Sequence, residues 1–366
     1  MSPDAGRLLA LCARPQVPEA LRPELAARVA AVSDWEDALR AAELHGLSPL
    51  LYRHAREAAV RLPSHAEHQL QGLYLRHRRA NAVRLGALAE ILETFEAHAV
   101  DVRVLKGPAL MSLVYGEPAL RPTADLDLLV PEADAARAQA LLGTLGYAAP
   151  AGSLERHHHL PAATRDVDGV LVQVEVHHNA LVADYRHETL RLDSSREVPQ
   201  TIEVAGRRAL ALGRHELLWH LCQHLVGPLP VPLRLLGIAD IVGYAEAFES
   251  GLDWQRLRRL HPIVLRVLGF ANAVTPLAEA VAAHLPDADV RAASADDVSA
   301  ALAWSPDGGV RAGGRVTQAA RTAHAPAWWL ALRYGGRTWP GLTAARLRHL
   351  LVVGRALRRR TFLESS

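Results

Sequence analysis

The sequence predicts an α+β fold in which a small mixed sheet is flanked by N- and C-terminal helical regions. Three observations carry this. Apolar residues recur at helical spacing between residues 34 and 98. The period drops to two at Val100, Val102 and Val104, and the helical period returns after His215. The chain of 366 residues divides on this pattern into a helical region (1–98), an α/β unit (99–212), a second helical unit (213–285) and a linker with a basic helical tail (286–366).

The first helical stretch places Trp35, Leu39, Ala42, Leu50 and Leu51 on a common face, broken by the turn His45-Gly46-Leu47-Ser48-Pro49. A longer amphipathic run, Arg79 to His98, carries Val83, Leu85, Leu88, Ile91, Leu92 and Phe95. The alternation through Val104 then predicts a strand. Gly107-Pro108 ends it, and Pro108 opens a helix of about two turns reaching Tyr115. A second strand is expected over Asp125–Val130, a helix from Ala133 to Leu145 closed by Gly146, and a third strand over Gly169–Val176. A hairpin pairs residues 197–205 with 207–212 across Gly206. Residues 286–326, rich in Ala, Asp, Gly and Ser, read as loop or linker.

Composition excludes several classes. Half of the residues are apolar and 22% are charged, a globular composition with material for a real core. With 41 basic and 39 acidic side chains the net charge is +2, so no global field draws the protein to nucleic acid. Two cysteines, Cys12 and Cys222, cannot build a disulfide framework or a four-thiolate zinc site. Residues 1–16 lack the pattern of a signal peptide, and no window reaches the ~18 apolar residues of a spanning helix. A cytoplasmic location is the expectation. Of the 41 bases, 40 are arginine and one, Lys106, is lysine. A codon bias toward arginine explains the 40, and it makes the surviving ammonium worth following.

The strongest constellation is Asp125-Leu126-Asp127-Leu128-Leu129-Val130. In a strand the two carboxylates share one face while Leu126 and Leu128 enter the core. Adjacent carboxylates repel, and a divalent cation resolves the repulsion. Glu175, in the apolar strand Val174-Glu175-Val176, offers a third acid at the same height. Lys106-Gly107-Pro108 follows one strand and opens a helix, where a glycine permits close approach of an anion to the backbone.

The order of these blocks resembles the DNA polymerase β-like nucleotidyltransferase superfamily. Val104-Leu105-Lys106-Gly107-Pro108-Ala109-Leu110, Tyr115, Arg121-Pro122, the Asp125–Val130 block and Leu145-Gly146-Tyr147 are similar to its uncharacterised bacterial nucleotidyltransferase family. That family's Glu-x-His strand is matched by Glu175-Val176-His177, and a preceding histidine by His158 or His159. Similarity extends outward to Gly46–Tyr52, Glu216–His224, Ala239-Asp240-Ile241 and Leu252-Asp253-Trp254, covering about residues 35 to 280. The resemblance implies a sheet of nucleotidyltransferase (polymerase β-like) type. It also implies metal-dependent transfer of a nucleoside monophosphate from an NTP, with ATP the expected donor, to an acceptor hydroxyl. Asp125 and Asp127 would hold Mg²⁺ or Mn²⁺, and Glu175 would complete the metal set or act as base. Lys106, Gly107 and Arg121 would meet the phosphates. The acceptor, whether small molecule, peptide, protein hydroxyl or RNA end, is not legible. A catalytically inactive or regulatory binding protein of the same fold, and a phosphotransferase, remain the alternatives. The chain departs from the superfamily in replacing the Gly-Ser turn by Lys106-Gly107 and in the longer gap from Gly107 to Asp125.

Other signals are weaker. His157-His158-His159 reads as polar lining or surface and not as a zinc site. His177 is expected to face away from Glu175 unless a bulge intervenes. His215 and His220 miss the spacing of a zinc-protease helix. His220 and His224 do share a helix face, which packing alone explains. The basic run Arg346–Arg360 reads as a solvated or partner-facing helix. No P-loop or dinucleotide fingerprint is present. Lys106→Arg is expected to weaken triphosphate use although it preserves charge. Wild-type kinetics in that variant would make the single lysine a coincidence.

Overall fold

The computed structural model describes residues 1–150, 158–181, 188–227, 233–286, 295–303, 325–336 and 339–363. His157 and most of the 286–326 stretch lie outside the described residues.

Four helices open the chain: α1 (Pro3–Leu11), α2 (Arg22–Ala31), α3 (Trp35–His45) and α4 (Ser48–Glu57). Ser2 and Asp34 cap α1 and α3 by accepting from Ala5 and Asp37 backbone N–H groups. Gly46, at φ +73°, ends α3 in the left-handed conformation that a helix stop requires, and Leu47 N–H donates back to Ala42 at 2.8 Å. Helix α5 (Ser64–Ala97) spans 34 residues and starts well before the expected Arg79. Its first half offers the core only Ala66, Leu70 and Leu73, too sparse a stripe to register as a helix face.

Strand β1 is just Arg103–Val104, shorter than the alternation predicts. Val100 is diverted: its N–H donates to Phe95 at 2.9 Å and closes α5 through Ala99, which sits at φ +53°. Helix α6 (Lys106–Leu110) starts at Lys106 instead of Pro108 and continues into a π-helical turn, Met111–Tyr115. Then come β2 (Asp125–Leu129), α7 (Ala135–Thr144), β3 (Ala163–Val167), β4 (Val170–His177), β5 (Gln200–Val204) and β6 (Arg207–Ala211). The order across the sheet is β3-β4-β2-β1-β6-β5. Strand β2 runs parallel to β4, β1 runs parallel to β6, and β1 is antiparallel to β2. Strand β3 was not expected. It forms a hairpin with β4 through Asp168 and Gly169, at φ +52° and +75°, the pairing an Asp-Gly turn favours.

The chain continues through α8 (Arg214–Val226), α9 (Leu235–Ala247), α10 (Trp254–Leu260), α11 (Pro262–Val274) and α12 (Glu279–Ala282). Residues 295–303, expected as loop, form a helix that packs on α11. Helices Ala327–Tyr334 and Trp339–Leu363 end the described chain. The basic run Arg346–Arg360 is helical in its backbone, and its side chains from 355 onward lie outside the described residues. Among the described residues no helix is long and apolar enough to cross a membrane.

Two cores result. Val172, Val174 and Val176 of β4 and Leu126 and Leu128 of β2 face α5 and α7. The second core joins α1–α4 to α8–α11 and the helix at 327–334, and Leu129 reaches into it from the other face of β2. Arg14, 1% exposed, ties these helical flanks together through Glu246 at 2.9 and 3.0 Å. The odd-numbered face of β2, with Asp125 and Asp127, thus opens toward the helical core. Leu128→Ala is expected to cost about 2–5 kcal/mol, read as a lowered urea midpoint, because the closed layer between sheet and α5 cannot collapse around the void.

Candidate active site

The strand register assembles the acids. Asp127 lies opposite Glu175, and Asp125 opposite Gln173, on parallel neighbours β2 and β4. Gln173 donates to Glu175 Oε1 at 3.1 Å. Asp127 is 2% exposed, while Asp125 and Glu175 are half-buried.

Asp127 is held by two partners. Lys106 Nζ stands 3.0 Å from Oδ2, and His177 Nε2 donates to Oδ1 at 2.8 Å. Burial alone would raise its pKa, but the Lys106 charge and the His177 hydrogen bond win and hold it far below the usual carboxylate range. Asp125 moves the other way. Burial raises it, repulsion from Asp127 and Glu175 adds to that, and Lys106 offsets only part. Glu175 is lowered chiefly by the His177 hydrogen bond, against burial and the Asp127 charge. For His177 burial is the largest influence and opposes protonation, but the two carboxylates outweigh it and raise the pKa.

Lys106 adopts φ +45°, a left-handed conformation costing a residue with a Cβ roughly 1–2 kcal/mol. The strain is located where the chain leaves the sheet: Leu105 N–H still donates to Asp127 O at 2.9 Å, and Lys106 already begins α6. The next residue must be glycine, because a Cβ at Gly107 would stand 2.5 Å from Thr123 Oγ1 and 2.7 Å from Arg121 Nη1.

Arg121 is therefore packed beneath the Lys106-Gly107 turn, but it is not on the acids. Its Nε and Nη2 donate to Asp240 of α9 at 3.0 and 2.7 Å, and Nη1 donates to Thr123 at 3.0 Å. Tyr115 Oη donates to the same Asp240 at 2.7 Å. The structure thus brings together Lys106, Asp125, Asp127 and Glu175, and places Arg121 behind them as a strut.

The expectation for His177 is corrected. Val176 separates it from Glu175, so the period of two puts both on one face without a bulge, and Nε2 lies 3.5 Å from Glu175 Oε2. His158 and His159 pack their rings on His177 at 5.3 and 5.0 Å, and His159 Nε2 is 3.9 Å from Glu175. Asp127, Glu175 and His177 are the one group among the described residues whose ligand atoms all lie within 4.8 Å of one another and could hold a metal ion.

Two histidines that the sequence reading put down to packing, and one arginine that it missed, also lie within electrostatic reach of Lys106 or the acids. On α8, His220 is 1% exposed with neither ring nitrogen hydrogen-bonded among the described residues, and burial followed by the Lys106 charge depresses its pKa. His224, one turn on, is exposed, with its ring 6.3 Å from that of His220. Arg84 of α5 is half-buried and within electrostatic reach of Asp125. The i, i+4 spacing of the histidines was the available signal; nothing local marks Arg84.

A family model described as uncharacterised nucleotidyltransferase matches residues 31–279. No curated protein matches the chain. Among solved structures the chain is similar to ANT(2″)-Ia in complex with adenylyl-2″-tobramycin, at 16% identity and TM-score 0.35, covering 49% of this chain and 95% of that one. A solution structure of ANT(2″)-Ia gives 15% identity and TM-score 0.34 over 50% and 91% of the two chains. An antigenic nucleotidyltransferase-like protein from Paracoccidioides brasiliensis gives 17% and 0.32 over 54% and 96%.

The depressed Asp127 pKa makes a pH prediction. The stability it contributes is complete above its ordinary value of 3.8 and is lost as pH falls through the lower folded value. Asp127→Asn is expected to be less stable than wild type at pH 7 and to lose less on acidification below 4. Parallel stability–pH curves from urea unfolding would refute the pairing.

Proposed function

The chain belongs to the uncharacterised nucleotidyltransferase family, and we propose that it transfers a nucleoside monophosphate from a nucleoside triphosphate, ATP in the first instance, to an acceptor hydroxyl with the help of a divalent cation. The observation that carries the reading is the register of Asp127 against Glu175, with Asp125 beside them and Lys106 on Asp127. The fit to a cation rests on charge. Three carboxylates crowd one face; burial first and their mutual repulsion second raise Asp125, and Mg²⁺ or Mn²⁺ would offset that repulsion.

Asp125, Asp127 and Glu175 would hold the cation, which when bound supplies Lewis-acid stabilisation of phosphoryl oxygens. Lys106 is the compact ammonium for the phosphate chain, and the bare backbone at Gly107 lets that chain come close. Arg121 serves from behind, fixing the turn through Gly107 and lending charge at longer range. A Glu175 carboxylate kept ionised is suited to accept the acceptor's proton. The 99–212 unit carries this chemistry, and the helical flanks select the acceptor. Two buried cysteines without partners, Cys12 and Cys222, suit a reducing cytoplasm.

The test is calorimetric titration of ATP with and without Mg²⁺ into wild-type and Asp125→Ala/Asp127→Ala protein, followed by mass analysis of candidate acceptors. Cation-dependent ATP binding should vanish in the double variant, and an acceptor should gain the mass of a nucleoside monophosphate. Binding that survives the double substitution sinks the site; a gain of one phosphate makes the protein a phosphotransferase.

A further inference from the structure

We propose that His177 is itself a ligand of the cation, together with Asp127 and Glu175, and that the site for this reason selects Mn²⁺ over Mg²⁺. The inference rests on the cation-dependent reading above but concerns a different matter, the nitrogen in the coordination set and the ion it favours.

The geometry is already that of a shared ligand cluster. His177 Nε2 lies 2.8 Å from Asp127 Oδ1 and 3.5 Å from Glu175 Oε2. Ligands about 2.2 Å from one ion and at right angles stand about 3.1 Å apart, a value these two distances bracket. Lys106 occupies the other oxygen, Oδ2, so an ion seated between Oδ1, Oε2 and Nε2 leaves the lysine ion pair in place. The donors are fixed in advance. His177 is 1% and Asp127 2% exposed, and the rings of His158 and His159 pack against that of His177. Asp125 lies outside the tight group, so the three closest donors are two oxygens and one nitrogen instead of three oxygens.

Chemistry then sets the preference. Mg²⁺ is a hard ion that binds oxygen and keeps several waters, whereas imidazole suits the later divalent ions and Mn²⁺ accepts both donor types. Carboxylates only accept hydrogen bonds, so without a cation the Nε2 atom carries the ring proton that Asp127 and Glu175 share. Binding through Nε2 releases that proton to solvent and leaves one proton, on Nδ1, so that the ring is neutral with its Nε2 lone pair on the metal side.

The experiment is titration of the full chain with Mn²⁺ alone, followed by electron paramagnetic resonance and electron spin-echo envelope modulation. Bound Mn²⁺ should show ¹⁴N coupling, and protein grown on ¹⁵N-histidine should convert it to the ¹⁵N pattern, a result that needs no variant to fold. Displacement by Mg²⁺ should require at least a ~10-fold higher concentration. His177→Gln should abolish the coupling and weaken Mn²⁺ by about 10–100-fold while changing Mg²⁺ binding little. Mn²⁺ bound to wild type without histidine coupling, or coupling that persists in His177→Gln, overturns the proposal and leaves the carboxylate site standing. Failure of wild type to bind either ion overturns the proposal and the cation-dependent reading together.

Discussion

A carboxylate withdrawn from water has to be neutralised where it stands, and the site is organised by how Asp127 meets this demand. One oxygen takes the only ammonium side chain in the protein, and the other takes an imidazole from the neighbouring strand. The backbone strain at Lys106 goes with the first contact, since its side chain reaches Asp127 from the very residue where the chain leaves β1 and enters α6. The electrostatic asymmetry of the acids follows from both. Lys106 and His177 lower Asp127, whereas burial first and repulsion from Asp127 second raise Asp125, so the pair is unequal before any ligand arrives.

Much of this was legible in the sequence because it depends on period. Asp125, Asp127 and Glu175 declare a common face by alternating with residues of the core, and Leu126, Leu128, Val174 and Val176 confirm which face is which. The same rule, applied across Val176, also places His177 with the acids. What period could not supply was pairing in three dimensions. Nothing near Arg121 announces that Asp240, in a helix more than a hundred residues later, will take its guanidinium. Strand β3 was hidden because it buries little, although its Asp-Gly turn was visible. The start of α5 was hidden for the same reason: Ala66, Leu70 and Leu73 alone do not make a stripe.

The Arg121–Asp240 pair shows that the helical flanks do more than shield the sheet. Asp240 gathers Arg121 and Tyr115 into one buried network, and Arg121 with Thr123 leaves room for no side chain at position 107. A buried ion pair of this kind contributes little to net stability but fixes one arrangement over others. Here the arrangement fixed is that of the turn bearing Lys106. The geometry at the acids is thus set partly from α9, outside the sheet that carries them.

The shared helical core has a consequence for the order in which the molecule assembles. Helices α1–α4 share one apolar cluster with segments as late as Trp328 and Trp329, and the Trp329 indole donates to Val226 of α8 at 2.7 Å. Pairing across such a separation carries a high loop-closure cost and belongs late in folding. Within the sheet only the hairpins β3–β4 and β5–β6 have partners close in sequence, whereas β1 meets β6 across more residues than separate Val226 from Trp329. The acids therefore meet only through a longer-range pairing, β2 with β4 across α7 and β3, and the helical core is completed by segments later still.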